Sequence, residues 1–115
     1  MFNDAALVLA ANTLDTAITH MQAYSATPNA AGTTNAIGAR VAVNGTVDAD
    51  GDITWTNVAF TGLGANQAVA GVGYWTASSS GTYYGFVARG VSDDATANAA
   101  GEYTFTTITE TGTSA

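Results

Sequence analysis

The sequence predicts a mainly β fold: a compact antiparallel β-sandwich or small barrel behind an N-terminal helix or arm. Three observations predict it. Short runs that alternate apolar and polar residues recur from Thr19 onward, with turn residues about every 8–12 positions. Threonine, a good strand former, supplies much of the polar alternation in Thr54–Thr56 and Thr104–Thr107. The opening segment is alanine-rich and repeats its apolar residues at helical spacing instead.

Taken in order, residues 1–18 read as the helix or arm. Asn3 is placed to cap it, Asp4 suits its positive end, and Leu7, Ala11, Leu14 and Ile18 form an apolar stripe that Val8 and Leu9 broaden. Such a helix either covers one end of the β core or reaches a neighbouring subunit. A short strand follows around Met21, Ala23 and Tyr24, and residues 27–39 read as a long loop holding Pro28, Gly32 and Gly38. Arg40–Asn44 is expected to be a strand ending in an Asn44-Gly45 type I′ hairpin turn. A turn at Asp48–Asp52 leads to Ile53–Asn57, which Val58–Thr61 continues past a bulge. Ala68–Thr76 and Thr82–Gly90 are joined by the turn Ser78–Gly81. After a polar loop, the last strand is Tyr103–Glu110, with Tyr103, Phe105 and Thr107 on one face and Thr104, Thr106 and Ile108 on the other. Residues 111–115 are expected to be a flexible tail. The whole of 1–115 is one domain.

Composition limits function. Of the 115 residues 47 % are hydrophobic, but many of these are alanine, so the large side chains must carry a thin core that self-assembly would supplement. Two basic residues, Arg40 and Arg89, stand against nine acidic ones, for a net charge of −7. Such a surface repels phosphates, which excludes nucleic acid and anionic membranes as partners. Asp4 stands where a secretory leader needs positive charge, and no run approaches the roughly 20 apolar residues of a membrane span. A low-charge, threonine-rich surface loses little side-chain entropy when buried, which favours permanent contacts.

Catalytic chemistry is not expected. There is no cysteine, the single histidine is His20, and no serine sits in a nucleophile elbow. No phosphate-binding glycine loop is present, and no cofactor is expected. Asp48, Asp50 and Asp52 are the one metal candidate: three carboxylates within five residues suit Ca²⁺, but Asp-Gly chemistry suits a hairpin turn equally. No catalytic, cofactor or metal residue is therefore assigned. Trp55, Tyr74, Trp75, Tyr83, Tyr84 and Phe86 are divided between core and a surface platform for carbohydrate, and at least one of Tyr83 and Tyr84 must face outward.

The order of motifs also resembles a known family. The helix runs into a strand from Leu7-Val-Leu-Ala-Ala-Asn12 to Ile18-Thr-His-Met21, and a Pro/Gly loop ends in Asn35-Ala-Ile-Gly-Ala-Arg40. Val72-Gly-Tyr-Trp75 and the return Gly81-Thr-Tyr-Tyr-Gly85 then precede the threonine-rich last strand. This resembles a family of small structural proteins of tailed phages of actinobacteria, often labelled tail fibre or minor structural protein. The chain departs from it at Ala36, where the family has Glu, and in lacking a Tyr before Arg40. The resemblance implies a non-enzymatic component of the virion, made in the host cytoplasm. Its size suits a capsid decoration or cement protein (a minor capsid protein). The alternative is a minor tail or tail-fibre protein, with host-glycan binding through aromatics near Trp75 and Tyr83. The expected partners are the major capsid protein or tail proteins and the chain itself, as a homo-oligomer with three-fold symmetry expected.

Overall fold

Asn3 starts the first element: its side-chain oxygen accepts the Ala6 N–H at 3.0 Å and caps helix α1, Asp4–Ala17. The computed structural model describes residues 2–112. Ile18 ends the helix in extended backbone, its N–H donating to the Leu14 carbonyl. Ala11 and Ile18 are buried, and Leu7 and Leu14 face Gly51, Ile53 and Glu110 across a shallow hollow. The helix therefore lies over one end of the core. Leu9 does not broaden the buried stripe; it is 69 % exposed. Two residues from both Leu7 and Ala11, it sits more than half a turn away from them on the helix.

Seven strands follow: β1 His20–Tyr24, β2 Ala36–Ala42, β3 Thr46–Val47, β4 Ile53–Phe60, β5 Gly71–Trp75, β6 Tyr83–Ala88 and β7 Tyr103–Glu110. They form two antiparallel sheets, a four-stranded one in the order β2-β1-β5-β6 and a three-stranded one in the order β3-β4-β7. The fold is thus mainly β, a small sandwich with an N-terminal helix. Its core is Met21, Ala23, Val72 and Tyr74 from the first sheet against Ile53, Trp55, Val58, Phe60, Tyr103, Phe105 and Ile108 from the second. Leu63, Val69 and Ala97 from the long connections close the end away from the helix.

Several expectations need correction. The loop expected at 27–39 ends at Asn35, because Ala36 already pairs with Tyr24. Gly38, at φ 68°, lies inside β2, where the β1–β2 register shifts. Gln22 explains how a bulge survives there: its side-chain NH₂, in a residue only 7 % exposed, donates to the carbonyls of Ala23, Ile37 and Gly38. Asn44-Gly45 is not a hairpin turn. The chain crosses there from one sheet to the other, and neither residue has the positive φ that a type I′ turn requires. Glycine is needed for space instead, since a Cβ on Gly45 would lie 2.5 Å from Asp15 Oδ1 and 2.8 Å from Trp55 Nε1. β5 starts at Gly71, later than expected. Of the expected tail, residues 113–115 lie outside the described residues, while the Gly112 N–H is tied to Asp52 Oδ1 at 2.9 Å.

The facing pattern of β4 and β7 also differs from simple alternation. Ile53, Trp55, Val58 and Phe60 point inward, with Thr56 and Asn57 both outward; in β7 Tyr103, Phe105 and Ile108 point inward, with Thr106 and Thr107 both outward. Ile108 is therefore buried and Thr107 exposed, the reverse of the expectation. No residue is inserted at the change: the β4–β7 register is the same from Ile53↔Glu110 to Thr56↔Thr107 and from Val58↔Phe105 to Phe60↔Tyr103, and the pairing is interrupted only at Asn57 and Thr106. Asn57 stands at the reversal in left-handed backbone, φ 53°, which asparagine tolerates better than most residues. Replacing Asn57 by Val is expected to destabilise the fold by about 1–2 kcal/mol, while Asn57→Gly costs little or stabilises. Chemical denaturation of the two variants checks this.

Candidate functional site

The outward face of the four-stranded sheet carries a second, smaller packed layer. In β1 and β5 the outward residues are His20, Gln22 and Tyr24 and, opposite them, Trp75, Gly73 and Gly71, with Tyr83 and Phe86 beside them on β6. Gly73 leaves room for the neighbouring rings: a Cβ there would come within 2.6 Å of Tyr24 and 2.8 Å of Tyr83. Tyr24 meets Tyr83 and Phe86 edge-on at 6.5 and 6.0 Å, and Trp75 lies 5.3 Å from Tyr83. The β1–β2 loop folds back over this layer, held by Thr33 N–H to Asn29 Oδ1 and Asn29 N–H to Thr34 Oγ1. Gly32 rests on the Tyr83 ring, where any Cβ would clash at 2.5 Å. A relay of hydrogen bonds binds loop to sheet: Trp75 Nε1–H donates to Tyr24 Oη at 3.0 Å, and Tyr24 Oη–H donates to the Gly32 carbonyl at 2.8 Å.

Arg40 closes the layer. Its guanidinium carbon lies 3.6 Å from the Trp75 ring centroid, and Nη1 donates to the carbonyls of Ala77 and Ser80 in the β5–β6 turn. Trp75 is only 7 % exposed as a result. The carbohydrate platform expected near Trp75 and Tyr83 is therefore not an open surface: Trp55 and Tyr74 are core, Trp75 is covered, Tyr83 and Phe86 are half-buried, and Tyr84 alone of the six is exposed. Tyr84 escapes because it sits at the register shift between β5 and β6. Sequence reading missed the roles of Tyr24, Gly32 and Arg40. Only the pairing of β1 with β5 brings them to Trp75.

The three aspartates do come together, their carboxylates within 4.8 Å of one another. Their contacts are those of a turn between β3 and β4. Asp48 Oδ1 accepts the N–H groups of Asp50 and Asp52 at 2.9 and 3.0 Å, and Asp52 Oδ1 accepts that of Gly112. His20 stands elsewhere, on β1. The Thr19 hydroxyl gives its one proton to the Thr76 carbonyl, so its oxygen accepts from His20 Nδ1 at 2.9 Å. No carboxylate joins it in these contacts, and the Thr19 hydroxyl accepts from the ring and donates to a main-chain carbonyl, so the ring is not placed to take its proton. A groove of about 680 Å³ at the far end of the three-stranded sheet is lined mainly by small and amide residues, with Phe60 and Tyr103 and two carboxylates, Asp94 and Glu102.

The outward face of the three-stranded sheet is different again. Thr46, Thr54 and Thr109 stand in one row across β3, β4 and β7, and Thr56 and Thr107 stand opposite each other beside them. With Asn57, Ala59, Thr104 and Thr106 they make an uncharged sheet face. The alternations Thr54-Trp-Thr56 and Thr104-Phe-Thr106 were the signal for it.

Two outcomes are expected. Tyr24→Phe leaves the Trp75 indole N–H and the Gly32 carbonyl without partners and costs about 1–3 kcal/mol, read by thermal or chemical denaturation. Tyr74 gives a pH dependence. Burial raises the pKa of its hydroxyl well above the ordinary 10.0, and its 2.7 Å bond to Glu110 Oε1 raises it further. The unfolded chain then releases this proton before the folded one. The stability it contributes is present below pH 10 and falls as pH rises from there towards the folded pKa. Tyr74→Phe is expected to flatten that alkaline loss in a pH series of denaturation curves. Compared with known proteins, the chain matches no family model, no curated protein and no solved structure.

Proposed function

We propose that the chain is a non-enzymatic structural protein of a phage particle, a capsid decoration or cement protein that strengthens the shell through contacts with the major capsid protein and with copies of itself. The observation that carries this reading is the uncharged threonine face of the three-stranded sheet on a molecule of net charge −7. It is a surface suited to being covered, since threonine there loses little entropy on burial and the strands beneath hold it rigid. The motif order of the tailed-phage structural family supports the same reading. So does the use of the two arginines: Arg40 holds the carbonyls of Ala77 and Ser80, and Arg89 those of Val69 and Asp93, which leaves neither guanidinium free for a substrate phosphate.

The test adds purified protein to phage capsids and, separately, to tails that lack it. Cosedimentation with capsids and a higher shell melting temperature are expected. Binding to tails alone would assign the protein to the tail instead, and binding to neither would remove the virion reading.

A further inference from the structure

Strand β7 is an open edge. It bounds the three-stranded sheet, and among the described residues no backbone group of Tyr103–Glu110 bonds to backbone outside its pairing with β4. The other edges are guarded. β2 is interrupted by a register shift and by Gly38, β6 by a register shift and by Gly85 at φ 144°, and β3 is two residues long. β7 has eight residues with no Gly, Pro or Lys and no register shift, so its free edge carries none of these guards, and it faces Val87–Gly90 and Asp93 across a groove.

The strand also specifies what it can pair with. Its facing pattern is symmetric about the Thr106–Thr107 bond: Thr106 and Thr107 outward, Phe105 and Ile108 inward, Thr104 and Thr109 outward. An ordinary alternating strand laid along β7 would match one half and present the wrong face along the other. A strand with the same reversal is required. Within the chain β4 supplies it on one side, Thr56 opposite Thr107, and an antiparallel copy of β7 supplies it on the other. Charge favours the same occupant: Thr104–Thr109 carries none, so two copies of a −7 chain can meet there without setting carboxylates opposite one another.

We propose that two copies pair through β7, antiparallel about a two-fold axis at the Thr106–Thr107 bond. Thr106 lies opposite the partner's Thr107, Phe105 opposite the partner's Ile108, and Thr104 opposite the partner's Thr109. The two three-stranded sheets become one continuous sheet with a doubled threonine face. This stands apart from the virion reading, because the pair forms in free solution and particle binding can fail with the pair intact.

Sedimentation velocity over a concentration series is expected to show a dimer that grows with added salt as repulsion is screened. Thr106→Glu sets new carboxylates beside the axis and should abolish the dimer while circular dichroism and melting stay those of the parent. The native chain has no cysteine, so register is read directly by mixing variants under oxidation. Thr106→Cys with Thr107→Cys is expected to give a mixed disulfide, and Thr104→Cys with Thr107→Cys none. A monomer at every concentration, a dimer indifferent to Thr106→Glu, or failure of the matched cysteine pair to link would overturn the proposal.

Discussion

Trp55 and Tyr74 meet across the middle of the sandwich, nearly parallel, with 5.2 Å between ring centroids. Each stands on an inner strand of its sheet, β4 and β5, and the Tyr74 hydroxyl extends past the stack to the Glu110 carboxylate on β7. One contact thus joins three strands and both layers. Fully burying a large apolar side chain is worth roughly 1.5–3 kcal/mol, and around this pair the core is fuller than the alanine-rich composition suggests, with Met21, Phe60, Tyr103, Phe105 and Ile108 packed in the same cluster. The stack has a cost, since Trp55 Nε1 is buried beside Gly45 and Asp15 without a hydrogen-bond partner. The helix depends on the same region. Asp15 binds the Gly45 N–H, and the Leu7 backbone rests on Gly51, so α1 is seated by the strands that hold the stack.

The two sheets treat their outer faces in opposite ways. The four-stranded sheet is covered by its own β1–β2 loop and by Arg40, so its inner strands are buried on both faces and β5 reads as an unbroken small-and-aromatic run, Gly71–Trp75. The three-stranded sheet has no such aromatic layer among the described residues: its outer face is mainly threonine, apart from the far end, where Ala59 and Thr104 share a groove with Asp94–Asn98. A small protein that spends its aromatic residues sealing one face has none left for the other.

Much of this was legible in the sequence, and the misses share a cause. The helix cap at Asn3, the turn at Asp48–Asp52 and the last strand at Tyr103–Glu110 are local features, decided by residues within a few positions of one another, and they were read correctly. Asn44-Gly45 misled because its local turn preference yielded to a tertiary need for space between Asp15 and Trp55. The facing of Thr107 and Ile108 was misread because the reversal is set on the neighbouring strand by Asn57, some fifty positions earlier in the chain. For the candidate surfaces the threonine face was half visible as alternation. The aromatic layer was not, since Tyr24, Gly32, Arg40 and Trp75 become neighbours only when β1 enters the sheet between β2 and β5.

Arg40 and Arg89 have one more consequence. The chain has no lysine, and both arginines are half-buried with their guanidiniums bonded to main-chain carbonyls. A protease that cleaves after basic residues therefore has two targets, and each is embedded in structure. One lies over Trp75, where it closes the outer aromatic layer, and the other at the start of the β6–β7 connection. Cleavage must wait for local opening, so the two cut sites act as built-in reporters of how often each of those regions comes apart.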